Sequence, residues 1–403
     1  MKKQSLVIFL SVIFILSCLA LTACHSCEFG EWKVVLPASC TDSGLEERLC
    51  ICGEKETREI DANGHIDGDW IQVKEPTCSS QGSKNLLCAN CDEILKTESI
   101  SATGVHNFQN SDICDYCEIN IADLAVATYN MSATLADNVT GYVIPYKDGK
   151  HDVYIKGAGA MKDYRYETTH DSALFYNDDF AIVNAYIQNG ITNIGNCTFI
   201  DCESLEYVEI PSSVLIIGVD AFSFCSNLLE VTIPESVVSI LEGAFQGCSS
   251  IKSIIIPKNV DCIGLSAFTG CASLSSIIIK GNPNDIGWLA FYDTAFHRDN
   301  SNWQNLALYI GNCLVDAKKS IKSCVVRDDT TIIADHTFNN CKELTNITIP
   351  SSVTIIGDQA FRYCTELTDI YYEGSQEQWS AIMLGEYNEC LNNATIHYNY
   401  TGE

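Results

Sequence analysis

The sequence predicts a repeat solenoid with one short strand and one returning turn per coil, preceded by small cysteine-rich modules. Three observations predict it. A 23-residue period begins near residue 191 and recurs almost to the end of the chain. A looser period of 38 residues runs through residues 25–120, carried by tryptophan, cysteine and glycine. The first residues have the layout of an export signal, so both repeats are expected outside the cytoplasm.

The export signal spans residues 1–23. Lys2 and Lys3 form a positive start, and Leu6 to Leu16 is an apolar run broken by Ser11. Leu21-Thr22-Ala23-Cys24 then looks like a lipobox, the apolar-small-small-cysteine string at which a bacterial lipoprotein is cleaved and acylated. Cys24 is therefore the expected lipidation site, with Cys18 as second candidate; a plain secretory signal or an uncleaved anchor are the alternatives. No later apolar run approaches the ~20 residues of a membrane-spanning helix. The expected location is extracytoplasmic, on the cell surface, held to the membrane by lipid alone.

Composition narrows the partners. The 403 residues carry 24 Lys+Arg against 52 Asp+Glu, a net charge of −28. Such a surface repels phosphate backbones, which argues against nucleic acid. The 22 cysteines are many for any chain, and in an exported one they point first to disulfides.

The solenoid is expected over residues 187–372. Cys202, Cys225, Cys248 and Cys271 are each 23 apart, as are Cys341 and Cys364. Leu205, Leu228, Ile251 and Leu274 keep the same step, and Ala-Phe recurs at Phe222, Phe245, Phe268 and Phe361. Several columns in one register define a coil. In each, a strand turns residues such as Leu205, Val208 and Ile210 inward, and Pro211 ends it because proline cannot donate to the next ladder bond. The Ala-Phe-x-x-Cys stretch returns along the other side as a short helical turn. One coil cannot bury its own apolar side, so neighbours must stack. The ladder cysteines then read as small buried hydrophobes. Thr294 stands where the next one is due, so the position wants a small residue more than a bonded pair; disulfides along the ladder remain the alternative.

These columns resemble the BspA-like leucine-rich-repeat family, whose units read I-P-x-x-V-x-x-I-G-x-x-A-F-x-x-C-x-x-L. The resemblance implies a leucine-rich-repeat fold and a surface protein that binds host matrix proteins or other bacteria. This sequence departs from the pattern at residues 297–320, an insert expected to project from the stack or cap an edge of it, and at Cys324, which replaces a strand isoleucine. Both ends need caps. Residues 121–186 should hold an N-terminal one, with a hairpin about Asp148-Gly149. Residues 373–403 should hold the other, with a short amphipathic helix over Gln376 to Leu384 and a last strand over Thr395 to Tyr400.

The cysteine-rich modules carry 18 Asp+Glu against 7 Lys+Arg over residues 25–120. Trp32 recurs as Trp70, Cys40 as Cys78, Gly44 as Gly82 and Cys50 as Cys88. Cys52 matches Cys91, His65 and His106 close the units, and Cys114 and Cys117 begin a truncated third. These modules resemble small Trp/Cys/His repeats of surface proteins from anaerobic gut-type bacteria. Units of this size build little core, so a staple is expected. Three thiolates and one imidazole per unit suit structural zinc: Cys40, Cys50, Cys52 and His65 in the first unit, Cys78, Cys88, Cys91 and His106 in the second. Cys50-Ile51-Cys52 chelates poorly, and Cys88-x-x-Cys91 with Cys114-x-x-Cys117 is a competing set. Disulfides and unpaired thiols stay open beside zinc.

No nucleophile elbow, zinc-protease helix or phosphate loop occurs, so the expectation is no enzyme and no catalytic residue. The expected role is adhesin-like: the solenoid presents its open sheet to protein or glycan ligands on host or bacterial surfaces. A structural spacer in the cell envelope is the alternative. Alternation along the strands gives the outward ligand face as Tyr207, Glu209, Glu230, Thr232, Ile255, Ile278, Val325, Thr348 and Tyr371.

Overall fold

The computed structural model describes residues 28–78, 80–103, 105–109, 111–165, 175 and 180–402. The expected export signal, with Cys18 and Cys24, lies outside them. The chain forms two compact units: a smaller one running to Pro76 and including Gln81–Ser101, and a larger one made of Thr77–Ser80 and everything from Ala102 on. The cysteine-rich segment, expected as modules of about 38 residues over 25–120, is divided between the two units near residue 101. Its truncated third module belongs with the solenoid.

The smaller unit consists of two antiparallel meanders. Their strands are Lys33–Leu36, Gly44–Leu49 and Lys55–Ile60, then Asp67–Lys74, Gly82–Cys88 and Ile94–Ile100. Opposite charges face across the first: Glu46 stands against Arg58 and Arg48 against Glu56, both pairs in contact. The tryptophan column has a physical reason. Arg48 and Arg58 lie 4.6 and 4.4 Å from the Trp32 ring centre, and Lys84 lies 4.3 Å from that of Trp70. The glycine column has another: a Cβ on Gly44 would sit 2.5 Å from the Ala38 nitrogen, and one on Gly82 2.5 Å from the Lys74 oxygen. Among the described residues of this unit, the buried apolar side chains are Cys50, Leu86 and Cys88 alone. Hydrophobic burial on that scale cannot offset the ordering of so many residues.

In the larger unit, Asn138–Pro145 and His151–Ala160 form the expected hairpin, with Asp148 and Gly149 both at positive φ. His151–Ala160 then does two jobs. Its first half pairs with Ile182–Ile187, and Gly159 and Ala160 pair with Ile191–Ile194, so one strand links the two ladders of the coils in a single sheet. Gly157 makes the bend (φ 113°), where a Cβ would meet the Asn138 carbonyl oxygen at 1.6 Å.

Each coil has three sides. On the first, parallel strands such as Ser253–Ile256 and Ser276–Ile279 pair residue by residue at the 23-residue step. On the second, two-residue strands form another parallel ladder: Ile216–Ile217, Ser239–Ile240, Cys262–Ile263 and Asp285–Ile286. That second ladder is absent from the sequence reading, in which the return path had no strand. The third side is a run of turns, where Phe222 N–H donates to the Ala244 carbonyl and Phe245 N–H to that of Ala267. Inside it Phe175, Phe199, Phe222, Phe245, Phe268 and Phe291 stack at 5.3–5.5 Å.

Of the two placements expected for the insert, projection fails and an edge position holds: Trp303–Gln304 and Ala307–Ile310 are the first strands of a six-stranded sheet. Thr294 caps a short helix, Ala295–Arg298; Ala307–Ile310 and Cys313–Ala317 then form a tight hairpin, and Cys313 and Leu314 pair with Ile332 and Ile333 in the second ladder. All four residues of Ala307–Ile310 are buried, so this strand cannot stand free in water. The hairpin is built into the stack, and the core divides there into two clusters. At the C-terminus the helix is shorter than expected, Gln376–Ser380 with a Ser375/Gln378 capping box. Trp379 packs edge-on against buried Tyr372, and Thr395–His397 adds the last parallel strand.

Candidate metal centres and ligand face

Two tetrads of ligand atoms converge: Cys40, His65, Cys88 and Cys91, and Cys78, His106, Cys114 and Cys117. Within each, the ligand atoms all lie within 4.8 Å of one another. In the first, Cys40 Sγ is 3.7 Å from Cys88 Sγ, and Cys91 Sγ is 3.4 Å from His65 Nδ1. In the second, Cys78 Sγ is 3.8 Å from Cys114 Sγ, and Cys117 Sγ is 3.3 Å from His106 Nδ1.

This overturns the grouping read from the repeats. Cys40 and His65 gather with Cys88 and Cys91, not with Cys50 and Cys52, and Cys78 and His106 gather with Cys114 and Cys117. The competing set fails too, because its two Cys-x-x-Cys pairs go to different tetrads. Meander topology is the reason. Cys40 lies between the first and second strands and His65 beyond the third, at one end of the module. The turn holding Cys50 and Cys52 lies between the second and third strands, at the other end. The six residues of Gly44–Leu49 span about 20 Å between them. Each Cys and His is therefore completed by the Cys-x-x-Cys turn of the following module.

The turns are electrostatically prepared for thiolates. Backbone N–H groups, that of Asn90 first, hold Cys88 down at about 6. Burial pushes Cys114 up, but N–H groups of Tyr116, Asn107 and Cys117 and the His106 side chain outweigh it and bring it to about 6. Desolvation and two neighbouring thiols raise Cys40 and Cys78 to about 12. The far nitrogen of His65 faces Glu93 at 3.4 Å.

The second tetrad is embedded in the cap of the solenoid. Tyr154 Oη donates to the His106 carbonyl (2.8 Å), and Lys156 Nζ donates to those of Phe108 and Ser111 (2.5 and 2.7 Å). Phe108, Cys78, Cys114, Ile121, Ile144 and Tyr154 form one buried cluster.

On the outward face, alternation holds: Tyr207, Glu209, Glu230, Thr232, Ile255, Ile278 and Val325 are exposed, and Thr348 and Tyr371 half-buried. The two ends are engaged within the molecule. Glu209 accepts from Gln109 Nε2 (2.9 Å), and Tyr371 stacks on His397 and lies tilted against Tyr400. In the middle, Ile255 and Ile278 sit opposite each other on paired strands, 47% and 50% exposed. The insert does not cover them. Val325 (73% exposed) starts a separate sheet beyond the insert, so the apolar strip is not one continuous row of three.

Where the insert divides the stack there is also a crevice of about 380 Å³, lined by Trp288, Tyr292, His297, Asp316, Lys319 and His336 among others. Trp288 stacks on His336 at 4.6 Å, and His297 Nε2 meets Asp316 at 3.1 Å. Sequence reasoning missed it. The signal was Trp288 itself, an indole where other coils carry Val219, Glu242 or Leu265.

Parallel ladders, a phenylalanine stack and a third side of turns carrying the ladder cysteines define a leucine-rich-repeat solenoid. The chain belongs to the BspA-type leucine-rich-repeat family: the family's repeat region matches in six copies over residues 168–297 and 302–401. No curated protein matches the chain. Among solved structures, a leucine-rich-repeat protein from Eubacterium ventriosum is 24% identical, over 68% of this chain and 72% of that one, with a TM-score of 0.39. A leucine-rich cell surface protein from Faecalibacterium prausnitzii is 22% identical, over 64% and 97%, at 0.22. A leucine-rich-repeat protein from Bacteroides ovatus is 22% identical, over 66% and 71%, at 0.30.

Proposed function

We propose that this is a lipid-anchored cell-surface protein whose solenoid holds a protein or glycan of a host or neighbouring bacterium, without catalysing a reaction. The observation that carries it is the pair Ile255 and Ile278. These are exposed aliphatic side chains at the centre of a sheet face whose ends are tied to the caps. They are bordered by Thr232, Ser253 and Ser276, an apolar centre with polar margins of the kind interfaces use. The export signal and the family's repeat support the location.

The test is capture by the immobilised chain, with and without Ile255→Lys plus Ile278→Lys, from host extracellular proteins and from whole cells of co-resident bacteria. The double variant should bind at least about tenfold less, roughly 1.4 kcal/mol, at an unchanged melting temperature. Equal capture by both would move the site off this face. No capture by either would favour the envelope spacer.

A further inference from the structure

We infer that each tetrad binds one zinc ion through three thiolates and one imidazole, and that the ligand sets cross module boundaries. The distances favour metal over disulfide. A disulfide needs sulfurs about 2.05 Å apart, whereas thiolates about 2.3 Å from a common zinc form a tetrahedral edge of about 3.8 Å. The two sulfur pairs stand at 3.7 and 3.8 Å. Cys40, Cys88, Cys78 and Cys114 are all free thiols. The sulfur-to-Nδ1 separations of 3.4 and 3.3 Å fit the shorter mixed edge, and a disulfide would leave each histidine without its role. A tetrahedral set of soft sulfur and imidazole donors selects zinc. Glu93 behind His65 is the carboxylate partner that zinc-binding histidines commonly have.

The staggered sets give the metal a structural job. In the smaller unit the first ion joins Cys40 and His65 of one meander to the Cys88–Cys91 turn of the next, so two modules with almost no core of their own become one body. In the larger unit the second ion pins the Thr77–Ser80 segment and His106 to the Cys114–Cys117 turn. The segment leading into that turn is already held by Tyr154 and Lys156, which donate to the carbonyls of His106, Phe108 and Ser111 at the edge where coil stacking starts. Zinc there closes the N-terminal cap of the solenoid.

Metal analysis and native mass spectrometry of the full chain, isolated without reductant or chelator, test this. The expected result is two zinc ions per chain and no mass loss from disulfides. His65→Ala and His106→Ala should each lower the content to about one, while Cys50→Ser should keep two. Cobalt substitution supplies a readout independent of variant folding, since thiolate-to-cobalt charge-transfer absorption should report three thiolates per metal. Metal-free chains with oxidised cysteines would overturn the proposal. So would loss of an ion in Cys50→Ser, which would restore the within-module ligand set.

Discussion

The Sγ of Cys248 donates to the carbonyl oxygen of Phe222 in the preceding coil, 3.1 Å away. The same bond joins Cys225 to Phe199, Cys271 to Phe245 and Cys364 to Phe338. The ladder cysteine is therefore a small apolar filler that also supplies one donor to a buried carbonyl. Burial pushes the Cys225 and Cys248 thiols well above their ordinary range and Cys271 up to about 12. Cys248→Ala should cost ~1–2 kcal/mol in urea unfolding, the sum of a lost hydrogen bond and a small void. Native alkylation mapped by mass spectrometry should spare Cys225, Cys248 and Cys271 until the chain unfolds. Labelling in the folded state would mean the ladder opens locally.

Phe245 lies between Phe222 and Phe268, 5.3 Å from each ring. Phe245→Ala should cost ~3–5 kcal/mol, because close-packed neighbours cannot collapse into the space. In a stack where each coil touches its neighbours, hydrogen exchange should rise first in the coils on either side. A cost below ~0.5 kcal/mol would be that of a surface residue.

Asp335 carries the clearest pH signature. Burial, then the nearby Asp285 and Asp358 carboxylates, raise it to about 7. A folded-state pKa above the unfolded one means the fold prefers the protonated acid. Its stabilisation is full below about pH 4 and is lost as pH rises through about 7. Partial exposure screens the effect, so the loss should be ~1–2 kcal/mol. Asp335→Asn should flatten the fall in melting temperature over that window and leave the variant more stable than the parent at about pH 8. An unchanged slope would place the titration elsewhere.

Cys24 lies outside the described residues, and its role is tested in cells. Cys24→Ala should abolish labelling by a fatty-acid probe and release the protein from the membrane or leave its signal uncleaved. Labelling that persists would transfer the anchor to Cys18.

The return stretch shows where reading residues in line falls short. Val237, Ile240 and Gly264 stand in their own 23-residue columns, yet a strand of two residues is too short for alternation to mark it. Only the neighbouring coils' carbonyls make it a strand. The insert misled for a related reason: Leu306 to Ile310 reads as a strand wherever it sits. What decides that it lies inside the stack is the space between two cores, which no local pattern records.

Period, inward columns and outward columns were all present in the amino-acid order, because a solenoid's contacts lie at a fixed sequence distance and identical coils repeat them. The tetrads were different. The sequence named all eight tetrad residues among its candidates but grouped them by module. Only the tertiary structure decided which thiols gather, because the first meander carries its own Cys50-x-Cys52 turn about 20 Å from Cys40 and His65 and offers those two the next module's turn instead.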